Sequence, residues 1–152
     1  MLDLAHQNEN RKVRLCLHKK ITDNSHEMVI VHLKDCYVRP HKHIHKTESI
    51  HVLAGEAQIL LFSEEGLVTQ QFEMGDITSG KPFFYRLDTS IYHSLIVTSD
   101  YLVFKETTEG PFILENTIFP DWAPQGKRCD IQVQRFISKF DQNERIDELF
   151  HR

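Results

Sequence analysis

The chain holds only three cysteines, Cys16, Cys36 and Cys129, widely spaced and in no CxxC arrangement. That excludes a disulfide-stapled scaffold and a four-thiolate zinc site, and fits reduced thiols in a cytoplasmic protein. No apolar run approaches the ~18 residues that cross a bilayer as a helix. The polar stretch Met1 to Lys12 contains no apolar signal-peptide segment, so a cytoplasmic protein without membrane contact is expected. Positive charge is not in surplus: 18 Lys and Arg stand against 22 Asp and Glu, a formal charge of -4. There is no basic excess with which to displace counterions, and nucleic acid is not an expected partner. With six glycines and five prolines the chain has no low-complexity tract, no Gly/Ser linker and no internal repeat. What remains is a soluble composition, 40% hydrophobic and 26% charged over 152 residues, that suits one domain over residues 1–152.

From Met28 onward, short runs of Val, Ile, Leu, Phe, Tyr and Thr alternate with turn residues, the pattern of an all-β domain. The expected strands are Met28–Lys34, Cys36–His43, Glu48–Leu53, Ala57–Ser63, Leu67–Glu73, Phe83–Leu87, Ile91–Thr98 and Leu102–Glu106. Breaks are expected at Gly55, Glu64-Glu65-Gly66, Gly75-Asp76 and Ser79-Gly80-Lys81-Pro82, where Gly and Pro supply turn geometry or withhold a ladder donor. Short strands with tight connections make a barrel or sandwich, here with its core at about 26–108. Leu2 to Lys12 reads as a short helix or arm. Residues 109–152 read as a strap and C-terminal extension, the proline-rich Gly110–Gly126 running over the surface with Trp122 as its anchor. Phe136, Ile137 and Phe140 recur at helical spacing, and Asp141 with Glu144 reads as the start of a helix carrying Ile146, Leu149 and Phe150.

Histidine is abundant: ten residues, four of them between His41 and His51. On a strand, alternate residues share a face, so His41 and His43 present two imidazoles to one point. If the next strand returns antiparallel, Glu48 at its head brings a carboxylate to the same level. Ile50 and Val52 then continue inward. His93, on a distant strand, is the best completing ligand. Three neutral imidazoles and a carboxylate suit one divalent ion, Zn, Fe, Ni, Mn or Co, with open positions for water or substrate. Arg39 shares parity with the two histidines and is expected on the barrel face, holding either an anionic group of a substrate or an internal acid.

These motifs resemble the cupin superfamily. His41-x-His43, four residues, Glu48, six residues, Gly55 is similar to its first motif, and Gly75 followed by His93 resembles the second, with Asp88-Thr89-Ser90 in place of the usual Pro-x-Gly. Tyr37-Val38-Arg39-Pro40-His41-Lys42-His43, Glu109-Gly110-Pro111-Phe112 and Trp122-Ala123-Pro124 resemble landmarks of the WbuC family of cupin-fold metalloproteins. The resemblance implies a double-stranded β-helix, or jelly-roll barrel, with a short N-terminal arm and C-terminal helical extension. It implies a divalent metal on His41, His43, Glu48 and His93, a homodimer, and a place among bacterial surface-polysaccharide proteins. The set His43, His45 and Glu48 resembles the shorter-spaced motif of mannose-phosphate isomerase cupins and makes His45 an alternative ligand.

Three functions are compatible with such a site. One is a metal-dependent enzyme, such as an isomerase or epimerase, acting on a small anionic or sugar-related metabolite. The others are an Fe(II)-dependent dioxygenase and a non-catalytic sensor of a sugar or other small-molecule ligand. His6, His18, His26 and His151 read as solvated or capping residues, and strict alternation turns His51 outward. His32 is left without an assigned place. Cys36 lies close enough in sequence to the cluster for a catalytic thiol to be considered. The run Lys42 to Lys46 reads as a solvated turn.

Overall fold

Two long strands organise the molecule, whose computed structural model describes residues 1–141. β4 (Glu48–Phe62) and β7 (Tyr92–Glu109) pair antiparallel along nearly their whole lengths and bend together. Around them lie β1 (Lys12–Cys16), β2 (Ser25–Leu33), β5 (Val68–Gly75) and β6 (Phe84–Leu87), in the order β1-β2-β7-β4-β5 with β6 also on β4. A separate pair joins β3 (Lys42–His43) to β8 (Thr117–Ile118), and helices α1 (Leu2–Gln7) and α2 (Ile131–Asp141) flank the sheets.

The bend explains the difference from the expected strands. Glu48, Ile50 and Val52 are buried before it, and Ala57, Ile59 and Leu61 after it, because register shifts at Val52/Ala54 and Gly55/Ala57 reverse the parity. Gly55 adopts φ +85°, and a Cβ there would collide with the Tyr101 carbonyl oxygen. Gly55 therefore folds one strand back into two walls; it does not end a strand. The same holds for the expected strands 91–98 and 102–106, which form one β7.

Between the walls, Met28, Ile30, Ile50, Val52, Leu102 and Phe104 face Ala57, Ile59, Leu61, Met74, Leu95 and Val97. Each large aliphatic or aromatic side chain buried there contributes roughly 1.5–3 kcal/mol. The outer faces are covered too. Val133 and Ile137 of α2 pack on Leu60, Phe62, Tyr92 and Ile96, joined by Trp122, Phe136 and Phe140, while Ala5 of α1 packs on Val31 and Leu33.

The short helix expected within Leu2 to Lys12 forms as α1, and it leads into β1, a strand that was not expected and that extends the sheet before residue 26. The expected strand Cys36–His43 keeps only Lys42–His43 in a ladder, since Pro40 has no N–H to give. The helix expected to carry Ile146, Leu149 and Phe150 lies outside the described residues. Among the described residues no helix is long and apolar enough to cross a membrane.

Candidate metal centre

At one end of the barrel, its mouth, Glu48 begins β4 and His93 lies near the start of β7, so each wall contributes one buried group. Glu48 pairs with Leu87 and Thr108, not with the histidine segment, so the expected hairpin from His43 to Glu48 is corrected. The carboxylate nevertheless reaches the rings. Its Oε1 lies 2.9 Å from His93 Nε2 and its Oε2 3.4 Å from His43 Nε2. His41 comes alongside His93 through a two-way backbone bridge, at 3.1 and 2.9 Å. One ring nitrogen from each of His41, His43 and His93 lies within 4.8 Å of the other two.

The remaining ring nitrogens are tied outward. His41 Nδ1–H donates to the Arg39 carbonyl at 2.8 Å, His93 Nδ1–H donates to the Ile91 carbonyl at 3.0 Å, and His43 Nδ1 shares a hydrogen bond with Thr117 Oγ1 at 3.2 Å. Such outer partners fix ring orientation and leave Nε2 as the inward atom, as metal-ligating imidazoles require. Burial pushes His41 down to about 3, with His93 adding repulsion, so it is neutral and has a free lone pair at ordinary pH. Burial also lowers His43, against the pull of Glu48. Glu48 and His93 behave as a pair. Burial raises the carboxyl, but His93 outweighs it and holds Glu48 down to about 2. Burial lowers His93, but Glu48 outweighs it and the ring's value rises.

The segment carrying His41 and His43 is held from outside the barrel. Tyr37 Oη donates to the Pro124 carbonyl at 3.0 Å, Arg39 Nε and Nη2 donate to the Ala123 and Pro120 carbonyls at 3.1 and 3.2 Å, and Ile44 N–H donates to Asn116 at 2.9 Å. Arg39 also lies over the Phe119 ring, 5.0 Å from its centre. Among the described residues no carboxylate pairs with Arg39, so the internal acid expected for it is not there, and its fork is turned to strap carbonyls. Lys42 bonds Glu64 at 2.6 Å and Lys46 bonds the Pro111 carbonyl at 2.9 Å, so the supposed solvated run is pinned at both ends.

Other candidates are set apart. His45 is exposed on the turn at φ +56°, outside the group formed by the other three histidines. His51 is exposed beside Phe83 and Phe84. Burial pushes the Cys36 thiol up to about 11, which keeps it protonated and argues against a catalytic thiolate. His26, read as a solvated or capping residue, is buried against the His18 ring at 3.9 Å. His32 is also buried, edge-on to Phe104. A cleft of about 570 Å³ lies elsewhere, lined by His6, Arg11, Leu33, Lys34, Asp35, Asp100, Tyr101 and Arg128. It holds no converging imidazoles, and Arg11 is paired there with Asp35. Chemistry, more than volume, marks the barrel mouth.

Comparison with solved structures defines the class of fold. The cupin domain of Schizosaccharomyces pombe Cnp3 is 14% identical with a TM-score of 0.51, over 66% of each chain. Protein SO0799 from Shewanella oneidensis is 11% identical with a TM-score of 0.58, over 70% of this chain and 72% of that one. Oxalate decarboxylase of Bacillus subtilis, described with Mn(II) centres, is 14% identical with a TM-score of 0.54; the match covers 71% of this chain and 27% of the decarboxylase. The protein has the all-β cupin fold. Residues 1–74 match a family described as a domain of unknown function, DUF6016, and no curated protein matches the chain.

Proposed function

We propose that the protein is a metal-binding cupin that acts as a metal-dependent enzyme on a small, sugar-related metabolite, with His41, His43, His93 and Glu48 as ligands. One observation carries this: three imidazoles converge while each Nδ1 is tied to a group outside the centre. The donor set fits a borderline divalent ion: the imidazole nitrogens of His41 and His43, that of His93 once its Nε2 proton is given up, and one anionic oxygen. Such an ion, when bound, polarises an oxygen of the substrate or activates a water.

The chain's own residues prepare the centre. His41 is neutral through burial and needs no proton removed. Glu48 supplies the negative charge, and the strap bonds of Arg39 and Thr117 fix the two rings of the His41 segment. An anionic substrate loses its main support because Arg39 serves the strap, which favours the sugar-related alternative. The resemblance of Tyr37–His43, Glu109–Phe112 and Trp122–Pro124 to WbuC landmarks supports a place in bacterial surface-polysaccharide metabolism.

Elemental analysis of purified protein tests the metal centre. Close to one divalent ion per chain is expected, and His41→Ala, His43→Ala and His93→Ala should each remove most of it with strand content retained. If none of them alters metal content, the metal reading is wrong; if His45→Ala alone empties the centre, the shorter-spaced ligand set is right.

A further inference from the structure

Two polar side chains inside the barrel take part in none of these interactions. On β7, Leu102 and Phe104 face the core, and the same alternation turns Glu106 inward. Glu106 lies opposite Met28 on β2 and Ile50 on β4, and Tyr85 on β6 lies on the other side of Ile50. Glu106 and Tyr85 therefore flank one core residue. Strands are spaced by ~4.8 Å, so their backbones stand about 10 Å apart across the barrel wall. Glu48 sits one inward position nearer the mouth, opposite Thr108, as a diagonal neighbour of Glu106 at roughly 7–8 Å.

Neither side chain has a polar partner. The Tyr85 hydroxyl is buried and makes no hydrogen bond, although its ring packs on Phe72 at 5.1 Å. No hydrogen bond or ion pair involves the Glu106 carboxyl among the described residues. Buried polar groups in folded proteins are nearly always paired, so the lone Tyr85 hydroxyl marks a place that a ligand or water completes, and Glu106 beside it is only partly buried. The charged groups acting on Glu106 are Glu48 from β4, Arg14 from β1 and His93 from the first half of β7. Burial, and then Glu48, raise the carboxyl to about 7 against the pull of Arg14 and His93, so it can donate or accept near neutral pH.

We propose that Glu106 and Tyr85 form a ligand subsite for an uncharged molecule bearing adjacent hydroxyl or carbonyl oxygens, with Tyr85 donating to one oxygen and Glu106 bonded to a neighbouring hydroxyl. The subsite rests on the proposal that the barrel mouth is the functional site. It specifies the substrate end that enters the barrel: neutral and oxygen-rich. An anion there would meet the Glu48 carboxylate, while Arg39 is engaged with the strap. Like charges so placed disfavour a carboxylate or phosphate strongly.

Binding of a matched pair of four-carbon probes, threitol and its anionic counterpart threonate, tests this by saturation-transfer NMR on the metal-free full chain. Threitol should bind, and threonate should bind at least tenfold more weakly. Tyr85→Phe and Glu106→Gln, both nearly isosteric, should each weaken threitol about threefold to tenfold, the loss expected for one hydrogen bond. Gln70→Ala, exposed on β5 and outside both the centre and the pair, should leave threitol binding within twofold. No threitol binding, threonate binding equal to threitol, or indifference of threitol to both variants would overturn the subsite. Absence of bound metal in the wild-type protein, with the threitol results as expected, would overturn the metal centre alone. Should one variant fail to fold, the other decides.

Discussion

The candidate centre joins two differently built regions. Glu48 and His93 stand on the barrel walls, in strands whose long ladder continues into the core. His41 and His43 lie on a segment with only a two-residue ladder, held by the proline-bearing strap through Tyr37, Arg39, Ile44 and the Thr117 hydroxyl. Half of the centre is thus as rigid as the fold, and half depends on a few partly buried hydrogen bonds to the strap and on short ties to β7 at His93 and Ser94. The difference separates ligand geometry from global stability: the strap can be loosened without unfolding the barrel, whereas the walls cannot be loosened alone.

The largest effect that would sharpen this contrast comes from damaging each region directly. Phe104→Ala, which empties a fully buried site between the walls, should cost about 3–5 kcal/mol by denaturant unfolding and lower metal content only through loss of folded protein. His41→Ala should do the reverse, emptying the centre while moving the metal-free unfolding midpoint little. If His41→Ala in the metal-free protein destabilises as much as Phe104→Ala, the His41 segment is part of the core and the contrast fails.

A smaller effect is expected from the strap itself. Arg39→Met keeps an unbranched apolar stem but removes the bonds to the Ala123 and Pro120 carbonyls. Loss of such an orienting contact typically costs 10- to 100-fold in metal affinity. We expect a loss in that range by competition with a chelator, with strand content unchanged by circular dichroism. Unaltered affinity would show that the bridge to His93, with the Ser94 and Tyr37 hydrogen bonds, holds His41 in place without Arg39.

How legible this was from sequence follows the same division. The spacing His41-x-His43, Glu48 and His93 picked out side chains that the fold brings together, because local alternation and a rigid wall agree there. Alternation failed for Arg39, since Pro40 cannot join a ladder and the guanidinium turns to the strap. It also failed to reveal the bend at Gly55, where a break and a continuous bulged strand look alike along the chain. Glu106 was visible in principle, as the inward position after Leu102 and Phe104. Its link to Tyr85 depends on long-range register across β7, β4 and β6, which no local pattern encodes. The strap's grip on His43 through Thr117 depends on a contact between distant segments and was equally hidden.

The walls and the strap should also differ in protons. His93 donates through both ring nitrogens, to Ile91 and Glu48, so in the metal-free protein it carries a charge. Its folded value is raised above 6.5, so its stabilising contribution is complete below that pH and fades as pH rises through the folded value. Glu48 is depressed from 4.5 to about 2, so its contribution is complete above 4.5 and is lost as pH falls toward 2. The pair should stabilise the metal-free chain most between pH 4.5 and 6.5. Metal binding near pH 6.5 should release a proton from this pair, and none from His41, whose folded value is about 3. Calorimetric titrations in buffers of differing ionisation enthalpy measure the release. Glu48→Gln should reduce it markedly, and an unchanged release in that variant would place the proton elsewhere.

The smallest predicted effect concerns the hydroxyl behind His43. Thr117 Oγ1 is 3.2 Å from His43 Nδ1, a long and partly exposed contact, and the β3–β8 ladder still holds the backbone without it. Thr117→Val preserves the branched shape while removing the hydrogen-bonding oxygen. An isolated hydrogen bond of this kind is worth about 0.5–1.5 kcal/mol. Metal affinity should therefore fall by roughly twofold to tenfold, less than for Arg39→Met, while the unfolding midpoint of the metal-free protein stays where it is. The order of the two variants carries the inference. Arg39 anchors the segment's backbone, on which both rings depend, and Thr117 orients only one ring; if Thr117→Val proves the more damaging, the strap acts by aligning His43 and not by holding the segment as a whole.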